Sequence, residues 1–267
     1  MEEKQQNKMN NLKNFINQFD KVAVAFSGGV DSTFLLKICS DLLDENCIAI
    51  TLNTPAHTIK EIEQSKKFTD SLNIPHLIID IDVNEIPEFN DNTKMRCYYC
   101  KKYMFSKIKD MAGLENISHV FDGSNYDDVK DYRPGMKAIK ELEVVSPLIH
   151  AKLCKKEIRK ISKQMNLSSW DKPANPCLAS RIPYGDKITK TKLKQIEKAE
   201  IILHSMGFEN ARVRHHNTLA RIEVENDKIS LIINNKSEII RKFKDIGFSY
   251  ITLDLQGYRM GSLNEVL

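Results

Sequence analysis

Two serines, two glycines and an aspartate fall within six residues at Ser27-Gly28-Gly29-Val30-Asp31-Ser32. Glycines carry no Cβ, so the backbone N–H groups of such a turn can come close to phosphate oxygens. Ser27 and Ser32 add hydroxyl donors. Asp31 repels bare phosphate, and its natural partner is a Mg2+ that bridges phosphate oxygens. The preceding run Lys21 to Phe26 is short, apolar and β-rich, which predicts a buried strand. From Asp31 to Leu43, residues Phe34, Leu35, Ile38 and Leu42 share one helical face. The loop is therefore expected between a strand and a helix N-terminus, whose partial positive charge attracts anions. No Gly-Lys-Ser/Thr is present, so this is not a Walker A loop. A capped tight turn with no chemistry is the alternative, and six specified positions in this context weigh against it.

Other residues could serve such a site. Cys97 and Cys100 form a Cys-x-x-Cys at the start of an expected helix, a weak signal that equally suits half of a zinc site. Cys177 lies far downstream, Cys39 and Cys47 read as buried thiols, and Cys154 has no motif around it. Asp122-Gly123-Ser124-Asn125 follows a short strand, as a nucleotide-contact loop would, or else is an Asp-Gly turn. Asp127 and Asp128 suit either a metal or the ordering of Arg133. Arg212 and Arg214 alternate along an expected strand, so both face the same way, toward phosphate or toward solvent. His215 and His216, beside a turn, read as surface residues, and Trp170 as packing for a loop between domains.

The elements that must position these residues alternate. Strands are expected at 21–26, 47–52, 75–81 and 119–122, with helices at 31–43, 57–72, 97–111 and 154–165. That is an α/β pattern: a parallel sheet with helices on both faces. Residues 168–187 hold Pro173, Pro176, Pro183 and Gly185 and read as a long ordered loop at a domain boundary. A helix at 189–206, strands at 211–215 and 219–225, a helix over 228–243 interrupted near Asn234 and Asn235, and a strand at 250–255 then make a small α+β domain. The expected domains are 1–185 and 186–267.

The 267 residues are 41% hydrophobic and 28% charged with a formal net charge of +4, as for an ordinary globular protein. So mild a charge argues against a dedicated nucleic-acid binder. No apolar run reaches membrane-span length, and the N-terminus lacks a secretory pattern, so the expectation is a cytoplasmic protein whose six cysteines are not structural disulfides.

The phosphate loop resembles the PP-loop of the ATP pyrophosphatases, which cleave ATP between its α and β phosphates and transfer AMP to a substrate oxygen. Three more stretches narrow the resemblance. They are Arg96-Cys97-Tyr98-Tyr99-Cys100-Lys101, the run Asp122 to Asp128 followed by Asp131-Tyr132-Arg133-Pro134-Gly135, and the run Lys172 to Gly185 containing Asn175-Pro176-Cys177-Leu178-Ala179-Ser180-Arg181. Together they are similar, over nearly the whole chain and including Arg212-Val213-Arg214, to the LarE family of ATP-dependent sulfur transferases of nickel-pincer nucleotide biosynthesis. The third stretch is the most specific.

The resemblance implies adenylation of a pyridinium dicarboxylate mononucleotide and its conversion to a thiocarboxylate. By motif, Ser27 to Ser32 with Gly123, Ser124 and Asn125 would hold ATP, and Asp31 would hold Mg2+. Cys177, Asp31, Ser180 and Arg181 would be catalytic, and Arg181, Arg212 and Arg214 would bind the substrate phosphate. In many members one cysteine, matching Cys177, gives up its sulfur and becomes dehydroalanine. This chain departs from that pattern in also carrying Cys97 and Cys100. Three thiolates can hold a [4Fe-4S] cluster and leave one iron open, so Cys97, Cys100 and Cys177 are favoured as cluster ligands over sacrifice, and over zinc. The family also implies a homo-oligomer and a sulfur donor such as sulfide or a cysteine desulfurase, with no nucleic acid and no membrane. Alternatives are a tRNA thiolase or ammonia-dependent ligase of the same superfamily, and a non-catalytic ATP-binding regulator.

Overall fold

The computed structural model describes residues 3–54, 59–129, 134–172, 177–259 and 262, the side chains of 59–61 aside. The chain forms two compact units. One comprises Met1–Thr54, Thr58–Ile81 and Cys97–Asn175; the other comprises Pro55–His57, Asp82–Arg96 and Pro176–Leu267. No helix among the described residues is long and apolar enough to cross a membrane.

The first unit is built on a parallel sheet of β1 (Val22–Ala25), β2 (Cys47–Asn53), β3 (His76–Asp80) and β4 (His119–Phe121), in the order β3-β2-β1-β4. Its longer helices are α1 (Glu3–Ile16), α2 (Val30–Leu43), α3 (Ile59–Leu72), α4 (Arg96–Leu114), α5 (Pro134–Glu141) and α6 (Lys155–Gln164). The period of two along each strand decides which layer a residue meets. Val22, Val24, Cys47 and Ala49 pack into one core with Leu12 of α1, Phe34 of α2 and Ile158 of α6. Ala23, Ile48 and Ile50 enter a second core with Phe105 and Ile108 of α4 and Ile139 of α5. Both faces are thus covered, which is why these strands read as continuous apolar runs rather than alternating ones.

Two helices of eight residues or more among the described residues escape the sequence reading. α1 has only Met9, Leu12 and Ile16 as buried apolar anchors in an otherwise polar segment. α5 is short, opens on Pro134 and buries Ala138 and Ile139.

The chain steps outward from β1 through β2 to β3, then returns to place β4 on the other side of β1. That reversal sets the carboxyl ends of β1 and β4 side by side, the place where open α/β sheets bind ligands.

The second unit packs α7 (Lys190–Ser205), α8 (Ile229–Asn234) and α9 (Lys236–Ile246) with the sheet β5 (Arg212–His216), β6 (Leu219–Glu223) and β7 (Tyr250–Leu253). β5 and β6 are antiparallel and β6 and β7 parallel. The expected helix interruption falls at Asn235, and the hairpin turns at Asn217 with φ 57°. Leu203, Val213, Ile222, Phe243 and Phe248 share the core. His215 corrects the surface reading: it is 2% exposed, lies 3.0 Å from Gln195 Oε1 and packs on Phe248. As the alternate partner of Val213 it must enter the core, and burial lowers its pKa to about 4, leaving the ring neutral at pH 7.

Within this unit Asn92 pins the loop that carries the most specific motif. Its buried amide donates to the carbonyls of Pro183 at 2.7 Å and Asp186 at 2.9 Å, and more weakly to Ile182 at 3.3 Å. Its carbonyl accepts from Arg96, whose guanidinium covers the Tyr184 ring. Its φ of 52° is left-handed, which asparagine tolerates better than most residues. Asn92→Ala should therefore lower stability by about 2–4 kcal/mol in urea unfolding, through carbonyls left unpaired and a strained backbone. Asn92→Gly should recover only the backbone share.

Candidate active site

The phosphate loop sits at the end of β1. Gly28 adopts φ 68°, a conformation open to glycine and strained for residues with a Cβ. The Ser27 and Ser32 hydroxyl oxygens lie 3.1 Å apart, Ser27 N–H points to Ser32 Oγ at 3.3 Å, and Ser32 Oγ–H reaches Gly29 O at 3.2 Å. Thr33 N–H donates to Gly29 O at 2.9 Å, so the N–H groups of Val30, Asp31 and Ser32 precede the helical ladder. A helix leaves such groups without intrahelical acceptors, which is the cradle a phosphate needs.

The loop after β4 closes on this turn. A Cβ on Gly123 would stand 3.0 Å from Ser32 N and 3.1 Å from its Cα, so glycine here permits the close approach. Asp122 is buried and accepts the hydroxyl hydrogens of Ser124 and Ser146; desolvation raises its pKa, against the pull of Lys101. Asn125 Nδ2 donates to Asp31 Oδ2 at 3.2 Å. Asp128 Oδ2 accepts from Asn125 N–H at 3.0 Å, and Asp127 Oδ2 from Lys155 N–H at 2.9 Å. Both acids therefore order this loop, and Arg133 lies outside the described residues.

Lys155 is the site residue that sequence reasoning missed. Its Nζ lies 2.6 Å from Asp31 Oδ2. It is the first residue of α6, where Glu157 accepts the Cys154 N–H at 2.9 Å and pairs with Lys8 at 2.8 Å. Only the acid three residues after Cys154, a helix-start pattern, hints at it. Lys172 joins from another side, donating to Gly28 O and Gln64 Oε1, each at 3.1 Å.

Asp31 gathers these influences. Burial raises its pKa, while Lys155 and Asn125 draw it down. Its Oδ1 is buried and has no hydrogen-bond partner among the described residues. An ionised oxygen with open lone pairs suits a hard cation, so the donor set fits the Mg2+ expected here.

The predicted arginines lie in the second unit. Arg181 is fully buried, with Nε and Nη2 on the two Glu200 oxygens at 2.9 and 3.0 Å and Nη1 on Ser180 Oγ at 2.9 Å. Glu200 also accepts Val213 N–H at 3.0 Å. Arg214 donates to Glu223 at 2.6 Å, Ser262 Oγ at 2.9 Å and Ser180 O at 3.0 Å. Arg212 differs. It donates to Ala211 O at 2.9 Å and lies over the Tyr258 ring at 5.4 Å. Burial, then repulsion from Arg181, lowers its pKa. The structure thus brings Ser180, Arg181, Arg212 and Arg214 into one buried, cation-rich cluster.

Cys97 is exposed and Cys100 half-buried, one turn apart on α4, with the Cys100 thiol 3.6 Å from Met104 Sδ. Cys177 is half-buried ahead of the 3-10 turn Leu178–Arg181 and its carbonyl accepts Ser180 N–H at 2.8 Å. Among the described residues no three His, Cys, Asp or Glu side chains form a group able to hold a metal ion. Cys39 and Cys47 are fully buried, and desolvation pushes the Cys39 thiol well up.

The sequence pattern of the family described as NAD synthase matches residues 5–103. A Synechocystis protein described as uncharacterized is 39% identical over 98% of both chains. The pyridinium-3,5-bisthiocarboxylic acid mononucleotide synthase of Lactiplantibacillus plantarum is 34% identical over 94% of this chain and 92% of its own. An uncharacterized protein of Methanocaldococcus jannaschii is 38% identical over 94% and 95%.

Gly123→Ala tests the contact that closes this site. Overpacking against the Ser32 backbone should weaken Mg·ATP binding in calorimetry by about tenfold, or about 1.4 kcal/mol. Gly113→Ala, whose Cβ would meet nothing within 4 Å, is the control and should leave binding unchanged.

Proposed function

The chain belongs to the LarE family, and from that premise we propose that it is an ATP-dependent sulfur transferase that makes thiocarboxylates on a pyridinium dicarboxylate mononucleotide. The observation that carries the reading is the half-buried Asp31 at the switch point, with its buried Oδ1 open, Lys155 at 2.6 Å on Oδ2 and the glycine turn beside it. Such a site suits a metal-bound polyphosphate. The relative whose name states this product is similar along 94% of the chain.

In the proposed reaction the N–H groups of Val30, Asp31 and Ser32 and the hydroxyls of Ser27 and Ser32 bind the β and γ phosphates. Gly123, Ser124 and Asn125 border the nucleotide. Asp31 would hold Mg2+, which when bound neutralises phosphate charge. Lys155 supplies a cation that can pass from Asp31 to a phosphate oxygen, a role a Walker lysine plays elsewhere. A substrate carboxylate oxygen attacks the α phosphorus. The bond to the β-phosphate oxygen breaks, and pyrophosphate leaves with that electron pair. Positioning and fixed charge supply the catalysis, because no protein atom forms a bond in this step. A sulfur nucleophile then adds to the acyl carbon and AMP departs.

Arg214, oriented by Glu223, Ser262 and the Ser180 carbonyl, and Arg212, over the Tyr258 ring, hold the substrate phosphate. A dianion there would offset the mutual repulsion of the three guanidiniums. Cys97, Cys100 and Cys177 would hold a [4Fe-4S] cluster, which when bound supplies a renewable sulfur. Sacrifice of the Cys177 sulfur is the second reading, supported by its place in the motif Asn175-Pro176-Cys177-Leu178.

Anaerobic purification with iron and acid-labile sulfide analysis separates the two. The cluster reading expects about four irons per chain, lost in Cys97→Ala, with repeated turnover when sulfide is supplied. An iron-free chain whose Cys177 becomes dehydroalanine after one turnover would establish the sacrificial route instead.

A further inference from the structure

We infer that Thr51 and His76 are positioning residues for the phosphate loop, with His76 held as the neutral Nε2–H tautomer; their role in catalysis rests on the activity proposed above. Phe26 is the last residue before the loop and follows directly on β1. The backbone register between β1 and β2 ends at the pair Ala25 and Ile50. Beyond it Phe26 N–H still reaches Ile50 O at 2.9 Å, and the Phe26 carbonyl accepts the Thr51 hydroxyl at 2.7 Å. Phe26 is thereby clamped on both polar groups, one of them by a side chain.

Thr51 is 3% exposed, and its oxygen also lies 2.8 Å from His76 Nε2. A hydroxyl has one hydrogen. With that hydrogen on Phe26 O, the Thr51 oxygen can only accept, so Nε2 must carry a proton. The other ring nitrogen, Nδ1, lies 3.0 Å from Thr69 Oγ1. Thr69 Oγ1 is also 2.9 Å from Lys66 O and 3.1 Å from Ser65 O. Both carbonyls belong to α3, where helical N–H groups already serve them. Thr69 can therefore turn its hydrogen to Nδ1 at little loss. The opposite tautomer would take the Thr51 hydrogen and strip the Phe26 carbonyl of this partner, a larger loss in a buried strand.

Burial lowers the His76 pKa and so favours the neutral ring, with Asp70 opposing the shift and Lys66 assisting it; Phe26 and Phe68 supply the apolar wall. Protonation would add a donor at Nδ1 and return the Thr69 hydrogen to the helix, leaving Thr51 on Phe26. The clamp is thus indifferent to pH and sensitive to the tautomer.

The experiment combines long-range 15N–1H NMR of the His76 ring in the wild-type chain with Mg·ATP calorimetry and pyrophosphate-release kinetics on Thr51→Val and Thr51→Ser. The expected results are an Nε2–H tautomer in the wild type and a KM for ATP raised about threefold to tenfold in Thr51→Val, the effect of one lost hydrogen bond. Thr51→Ser, which restores the hydroxyl, should lie within about twofold of wild type on the same scale. An Nδ1–H tautomer, or a folded Thr51→Val with unchanged ATP affinity and KM, would overturn the inference. A wild-type chain that binds Mg·ATP yet transfers no sulfur would sink the activity reading and leave the clamp intact. If no ATP is bound at all, the tautomer alone still decides whether the hydrogen-bond chain exists.

Discussion

A half-buried carboxylate at the reversal of a parallel sheet is the constraint around which the first unit is arranged. Asp31 needs cationic and hydrogen-bonding company because desolvation penalises its charge. That company arrives from separate parts of the chain: Lys155 from α6 and Asn125 from the loop after β4. Neither could reach it unless β4 returned beside β1. The sheet order, the covering of both faces and the missing side chain at Gly123 are all conditions for this one contact.

The second unit meets the opposite problem. Arg181, Arg212 and Arg214 crowd buried positive charge, with Glu200 and Glu223 as the carboxylates bonded to two of them. Two of the three arginines are thereby fixed in place, and Arg212 is left with a backbone carbonyl and an aromatic ring. A buried ion pair adds little net stability, since desolvation consumes most of the Coulomb gain. What it does supply is a guanidinium held in one orientation. That is useful where an anion must be met in a fixed geometry, and it is why we place the substrate phosphate at this cluster.

The sequence made the frame legible because its signals were local. The apolar strands, the glycine turn and the helical faces each lie within a short window, and the observed bounds of β1, β2 and α2 fall within a residue of those expected. Even the interruption at Asn235 was visible, as paired asparagines in a helical run. What escaped were interactions between distant windows. Lys155 is 124 residues from Asp31, and no periodicity links them. Glu200 looks like one more charge on an amphipathic helix until Arg181 arrives. Asn92 looks like a loop asparagine until three carbonyls converge on it. His215 was misread because proximity to a turn outweighed the alternation that places it with Val213. The polar α1 was overlooked because three apolar anchors are few for fourteen residues.

Asp31 also shows why such a site is not built for stability. Its pKa in the folded chain lies above the ordinary carboxylate value, so the native state binds the proton more tightly than the unfolded state does. Between the two pKa values the native state therefore carries more protons, and stability falls as pH rises through that window. Above the folded pKa the full penalty is present, because burial disfavours the ionised carboxylate. A cation at the open Oδ1 would oppose that penalty, because it would stabilise the ionised form that burial disfavours. A single carboxylate can thus couple metal-nucleotide binding to the firmness of the fold. The Phe26 clamp acts at the other end of the same turn, where geometry rather than charge has to be held constant.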